Sequence, residues 1–225
     1  YISGTGLWIP PHGITNDELM ASYNAYVEKF NTENAKEIAA GSIEGLSPSS
    51  SEFVEKASGI KHRYVIEKDH ALDPNFMKPL IPARDIDELS ILAEIGVMAG
   101  KDAMENAGVT PDDIDAVIVS TANLQRAYPA IAIEIQNELG IDGYGYDMMV
   151  ACSSTTFGIS NAMADIAAGK AETILVINPE ITTAHNNMKS RESHFIFGDV
   201  CTASVVQKNS LSNNKFKILD TKLKT

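Results

Sequence analysis

The sequence predicts an α/β fold, a mixed, mostly parallel sheet covered by helices in the order β-α-β-α-β-α-β-β. Three observations carry that expectation. Residues 116–120, 145–151 and 173–178 are short strand-like runs without polar alternation, as expected of strands buried on both faces. Helical patterns separate them, which implies parallel strands joined by crossovers. After residue 200 two further runs, 201–206 and 216–219, follow each other directly and suggest an antiparallel edge.

Taken in order, residues 1–8 read as a glycine-punctuated strand that stops at Pro10 and Pro11. Thr15-Asn16-Asp17-Glu18 has capping-box spacing, and Leu19, Met20, Tyr23, Tyr26, Val27 and Phe30 recur at helical intervals behind it. Residues 31–51 form a polar excursion with a weak helical piece at 36–40. A short helix over 52–58 is closed by Gly59, and 60–66 reads as a strand. Three prolines make 69–83 irregular. Ile86, Leu89, Leu92, Ala93, Ala99, Ala103 and Met104 predict one long helix ended by Gly108. A helical turn at Thr110-Pro111 precedes the 116–120 strand, and 129–139 reads as a helix with proline at its first position. Residues 159–168, closed by Gly169, are Ala-rich and helical.

With 225 residues and 44% apolar content the chain can bury a substantial core as one large or two small domains. No apolar window of about 18 residues exists, so a soluble protein without a membrane partner is expected. A net charge of −12 argues against a nucleic-acid partner, because phosphate contacts need basic patches. Cys152 and Cys201 lie in apolar segments without Cys-x-x-Cys or Cys/His ligand spacing, which predicts a reducing cytoplasm and no metal site. The chain begins at Tyr1 inside a strand-like run, so a trimmed N-terminus is expected.

The stretch with most chemistry is 147–159, Asp-Met-Met-Val-Ala-Cys-Ser-Ser-Thr-Thr-Phe-Gly-Ile. It places Cys152 between a strand and a helix. Unpaired N–H groups and the positive end of the helix dipole favour thiolate there, the form that attacks a carbonyl or thioester. A lone cysteine among apolar residues is also a common inert core residue. The hydroxyls of Ser153, Ser154, Thr155 and Thr156 favour the first reading, since they suit a first turn better than a core. Lys61-His62-Arg63 is a small basic island that could meet an anionic ligand or be a solvated face.

Several motifs in one order resemble the N-terminal half of the β-ketoacyl-acyl carrier protein synthase III family, condensing enzymes of the thiolase superfamily. They are Ile2-Ser3-Gly4-Thr5-Gly6, Ala57 to Arg63, Tyr128-Pro129-Ala130, Asp147 to Gly158 and Phe197-Gly198-Asp199. The resemblance implies a thiolase-like half over residues 1–207, with excursions at 31–51 and 67–83, and the start of a C-terminal half at 208–225. It implies that Cys152 accepts an acyl group from acyl-coenzyme A, and that malonyl-acyl carrier protein is decarboxylated and condensed to a 3-oxoacyl product. It implies a cytoplasmic homodimer using acyl-coenzyme A and acyl carrier protein as substrates, with no cofactor.

By the same resemblance Phe53 and Arg191 flank the adenine, with Phe53 where tryptophan is usual. The phosphate-contacting arginine falls on Ala57, with Lys56 beside it. Tyr128 matches an aromatic that closes the partner subunit's acyl pocket, although Phe53 and Tyr128 also suit ordinary packing. Cys201 reads as a packed strand-end residue. The family's catalytic His and Asn belong to a second half expected beyond Thr225, and neither His185 nor His194 replaces them. Resemblance in the Asn-Leu-Gln-Arg-Ala-Tyr-Pro run and in the long excursions implies a medium-chain primer and a β-ketodecanoyl-type product. Rival readings are a hydroxymethylglutaryl-coenzyme A synthase-like or quinolone-forming enzyme, and a non-catalytic acyl-binding or dimerising partner.

Overall fold

Hydroxyl caps and glycine stops set the helices, and apolar runs between them set the strands. The computed structural model describes residues 1–210, 213 and 215–224. In chain order the elements are β1 (Ile2–Trp8), β2 (His12–Thr15), α1 (Asn16–Glu33), α2 (Ala35–Ala39), α3 (Ser51–Ser58), β3 (His62–Val65) and α4 (Asp69–Leu72), then α5 (Ile91–Ala107), β4 (Ala116–Thr121), α6 (Ile131–Leu139), β5 (Tyr144–Met149), α7 (Ser154–Ala167), β6 (Thr173–Ile181) and β7 (Asp199–Gln207). Two compact units result: residues 1–9, 83–180 and 200–225 form the first, and 10–82 with 181–199 the second.

The first unit holds a five-stranded sheet in the order β1-β7-β6-β4-β5. β4 runs parallel to β5 and β6, while β1 and β7 pair antiparallel. Read along the chain this is β1-α5-β4-α6-β5-α7-β6-β7, the expected order. β4 is buried along its whole length and β6 over its first seven residues, which accounts for their unbroken apolar sequences. A side chain at Gly4 or Gly6 would strike the α5 backbone at Ala103 or Ala99, so these two glycines let β1 lie directly against α5. Gly158 does the same for α7, since a Cβ there would collide with Ser120 on β4.

The structure corrects four details. The expected strand at 216–219 reduces to one isolated bridge, Ile2 to Phe216. Helix α5 begins at Ile91 because the Ser90 hydroxyl caps it, accepting from the Ala93 N–H, and Ile86 is left 72% exposed ahead of it. Helix α6 begins at Ile131, after a cis Tyr128–Pro129 peptide, so proline does not occupy its first turn. Strand β2, hidden behind Pro10 and Pro11 in the sequence, pairs antiparallel with β3.

In the second unit Thr15 and Glu18 close the expected capping box on α1. Ile14, Leu19, Met20, Val54, Val65 and Phe195 form one apolar cluster, and Tyr23, Val27, Met77 and Met188 another. Asn24 and Asn31, seven residues apart and so on one face of α1, hold the 31–51 excursion. Each side-chain amide pairs with a backbone peptide in both directions, Asn24 with Ser49 at 3.0 and 2.9 Å and Asn31 with Leu46 at 2.9 and 2.8 Å. Two side chains thereby replace a strand partner for that segment.

Helix α7 is apolar in sequence, yet only Ser154, Gly158 and Ala162 are buried in it. Phe157, Ile159, Met163 and Ile166 are only half-buried. A 225-residue preparation is therefore expected to bind a hydrophobic dye and to self-associate at micromolar concentration. A monodisperse, cooperatively melting sample that binds no dye would contradict this.

Candidate functional site

The carboxyl ends of parallel strands are where groups for chemistry gather in such sheets. Here three of those ends are tied together. The Thr121 hydroxyl at the end of β4 donates to the Pro179 carbonyl of β6 at 2.7 Å, and the Asn178 amide donates to the Ser120 carbonyl at 2.9 Å. From the β5 side, the Ser154 hydroxyl donates to the Thr121 carbonyl at 3.0 Å and accepts from the Val150 N–H at 2.9 Å. Ser154 is 3% exposed and fixes both ends of the turn that leads from β5 into α7.

Cys152 sits on that turn, within the 3-10 segment Ala151–Ser153, and is exposed. Ala151 before it holds φ at +48°, the left-handed region that costs a non-glycine residue on the order of 1–2 kcal/mol. The thiol beside it lies outside the core. Ser153, the residue before α7, makes no side-chain cap bond, and of the first-turn N–H groups that of Ser154 is already taken by the Ala151 carbonyl. A reacting carbonyl oxygen bound there would meet hydrogen-bond donors and a favourable dipole. Cys201 differs in every respect: it is fully buried, and burial followed by the nearby Glu180 carboxylate pushes its thiol far up.

Asp147 has a role that its place in the 147–159 run does not announce. Its carboxylate accepts from the Ile131 and Ala132 N–H groups, both at 2.8 Å. Ala130 offers α6 no side-chain cap, so β5 supplies the cap from a distance in sequence. Burial raises the Asp147 carboxyl and these bonds oppose the rise. The only local signal for this role was a charged residue inside a strand that otherwise reads as buried.

Tyr128 also lies on the first unit, 83% exposed. Its loop is anchored nearby, with the Arg126 guanidinium donating to the Ile86 and Glu88 carbonyls at 3.1 Å each and the Gln125 side-chain oxygen accepting from the Leu92 N–H at 3.2 Å. The aromatic ring therefore projects from a fixed loop and is not part of the chain's own core.

The second unit brings Phe53 and Arg191 together. The guanidinium carbon lies 4.5 Å from the centre of the Phe53 ring, and Phe195 meets the same ring edge-on at 6.1 Å. The Arg191 Nε donates to the Pro48 carbonyl at 3.2 Å, so the 31–51 excursion, opaque in sequence, positions this arginine. A planar base between ring and guanidinium would need them about 7 Å apart, two contact distances. Lys56 is exposed on α3.

The basic island does not act as a unit. Arg63 is 4% exposed and donates to the Ile14 and Phe195 carbonyls at 3.3 and 3.2 Å and to the Asn16 side chain at 2.6 Å, which makes it a core tie. Lys61 pairs with Glu55 at 3.0 Å.

His194 is fully buried, with Nδ1 3.2 Å from the Met188 carbonyl and Nε2 without a partner among the described residues. Burial, with the Arg63 and Arg191 charges adding to it, lowers its pKa to about 4. The unfolded chain, titrating near 6.5, takes up a proton that the folded chain refuses between about 6.5 and 4. Stability owed to neutral His194 is accordingly lost as pH falls through that window, by on the order of 3 kcal/mol. In urea unfolding, the stability difference between wild type and His194→Gln is expected to be constant above pH 7 and to shift in favour of the variant towards pH 4. A difference that stays constant throughout would refute it.

Fold and junction cysteine together define an α/β protein with an exposed thiol at the carboxyl end of its sheet. A family model described as 3-oxoacyl-[acyl-carrier-protein] synthase III matches residues 146–225. A relative named beta-ketodecanoyl-[acyl-carrier-protein] synthase from Pseudomonas aeruginosa is 53% identical over 208 residues, covering 92% of this chain and 59% of its own length. Beta-ketoacyl-[acyl-carrier-protein] synthase III from Agrobacterium fabrum is 31% identical over 166 residues, 73% of this chain and 45% of its own. Among solved structures, 3-oxoacyl-[acyl-carrier-protein] synthase III from Aquifex aeolicus superposes with a TM-score of 0.69 at 23% identity, over 92% of this chain and 53% of that one.

The chain belongs to the β-ketoacyl-acyl carrier protein synthase III family. It spans about half the length of the curated relatives it matches.

Proposed function

We propose that the protein carrying this chain is an acyltransferase that condenses an acyl-coenzyme A primer with malonyl-acyl carrier protein. The Cys152 thiolate attacks the thioester carbonyl, coenzyme A leaves as its thiolate, and an acyl-enzyme remains. Malonyl-acyl carrier protein then loses carbon dioxide, and the resulting carbanion attacks the acyl-enzyme carbonyl. The 3-oxoacyl-acyl carrier protein forms and the Cys152 thiolate is released. The observation that carries this reading is the exposed Cys152, on a turn locked by Ser154 ahead of a helix start without a side-chain cap.

Phe53 and Arg191 serve the adenine, with Lys56 at its rim. Tyr128 serves a second copy's acyl pocket in a homodimer, and its 83% exposure favours that role over packing. The 53% relative, named for a ten-carbon product, supports an eight-carbon primer extended by two carbons. The protein acts in the cytoplasm on its two thioester substrates without a further cofactor. Among the described residues no helix is long and apolar enough to cross a membrane.

Intact-mass measurement after incubation with octanoyl-coenzyme A tests the nucleophile: an octanoyl adduct is expected on wild type and none on Cys152→Ala. Equal labelling of both would remove the proposal. A primer series in which acetyl-coenzyme A outperforms octanoyl-coenzyme A would remove the medium-chain assignment alone.

A further inference from the structure

In the second unit the tip of the 67–83 excursion faces the turn at 184–189 across a groove of about 330 Å³. Phe76 and Lys78 stand on one side, and His185, Asn186, Asn187 and Lys189 on the other. The chain carries 30 acidic against 18 basic side chains, yet among the described residues no carboxylate lines this groove. Neither lysine has a carboxylate partner among the described residues. Lys189 instead lies over the Tyr26 ring at 5.2 Å, which holds its ammonium group without neutralising it. The Asn187 side-chain oxygen accepts from the Lys189 N–H at 3.1 Å, so its amide N–H groups are the ones left to face a ligand. Two cations with amide donors beside them recognise an anion with several acceptor oxygens.

We propose that this groove binds a phosphoryl group of the coenzyme A primer. The proposal rests on the function proposed above, and the place of Lys189 in the chain ties it to that ligand. Lys189 precedes Arg191 by two residues, so their Cα atoms are at most about 7 Å apart, a separation suited to a nucleotide whose base meets Arg191. Lys78 and Lys189 supply the positive charge that phosphoryl oxygens need.

Calorimetric binding of octanoyl-coenzyme A and S-octanoyl-pantetheine to the full-length wild type and to Lys78→Ala/Lys189→Ala tests this. The two ligands share the acyl thioester, and only the first carries the nucleotide. The preference for octanoyl-coenzyme A is expected to shrink about tenfold in the variant, and the wild-type preference to shrink with added salt. An unchanged preference would overturn the groove, as would a variant defective only in turnover with carrier protein, which would mark a protein-docking surface. Wild type that forms no acyl adduct with either thioester would overturn the underlying function. An adduct formed normally beside an unchanged preference would sink the groove alone.

Discussion

Replacing Cys152 by alanine is expected to reduce condensation of octanoyl-coenzyme A with malonyl-acyl carrier protein by at least about a thousandfold. The expectation follows from the role proposed for this thiol, since no other described group stands in the same place. Cys201, the second thiol, is walled into β7 and kept neutral by its burial. Because Cys152 is exposed, the substitution should leave the unfolding free energy within about 0.5 kcal/mol of wild type. Activity lost together with stability would point to a structural residue, and activity largely retained would end the assignment.

Asp147→Ala is expected to produce the largest loss of stability from a single change near the site, about 2–3 kcal/mol. It leaves the Ile131 and Ala132 N–H groups, both on buried residues, without their acceptor. It also disconnects the start of α6 from the strand that leads into the Cys152 turn. Asp147→Asn, with one acceptor oxygen in place of two, should fall between wild type and alanine. Chemical denaturation reads the order directly. An alanine variant within 0.5 kcal/mol of wild type would show that the cap is dispensable.

Elements made by local chemistry were legible. The Thr15 capping box, the Gly59 and Gly108 stops and the unbroken apolar runs of β4 and β6 act within a few residues, and all form as the sequence implies. The position of Cys152 between a strand and a helix was legible for the same reason, since strand, thiol, hydroxyls and helix are contiguous. Groups whose partners lie far along the chain were not. Asp147 caps a helix that precedes it by fifteen residues, Pro48 orients an arginine 143 residues later, and Arg63 reads as a surface cation while it ties three buried acceptors. The 216–219 run shows the converse, since β-rich composition yields only one bridge where no neighbouring strand extends the ladder.

The contact between Arg191 and Phe53 makes the guanidinium a place-holder for whatever planar group inserts between them. An incoming ring must first displace it, and a cation–π contact at an exposed site holds on the order of 1 kcal/mol. That contact alone leaves at most about one molecule in six open at any moment, fewer while the Pro48 carbonyl also holds the arginine, and apparent affinity falls by at least the same factor. In the adenine-binding role proposed for this pair, truncating Arg191 removes one stacking surface and at the same time releases the other from its internal competitor. The net effect on nucleotide affinity will be smaller than the loss of a stacking partner alone would give, with association made faster.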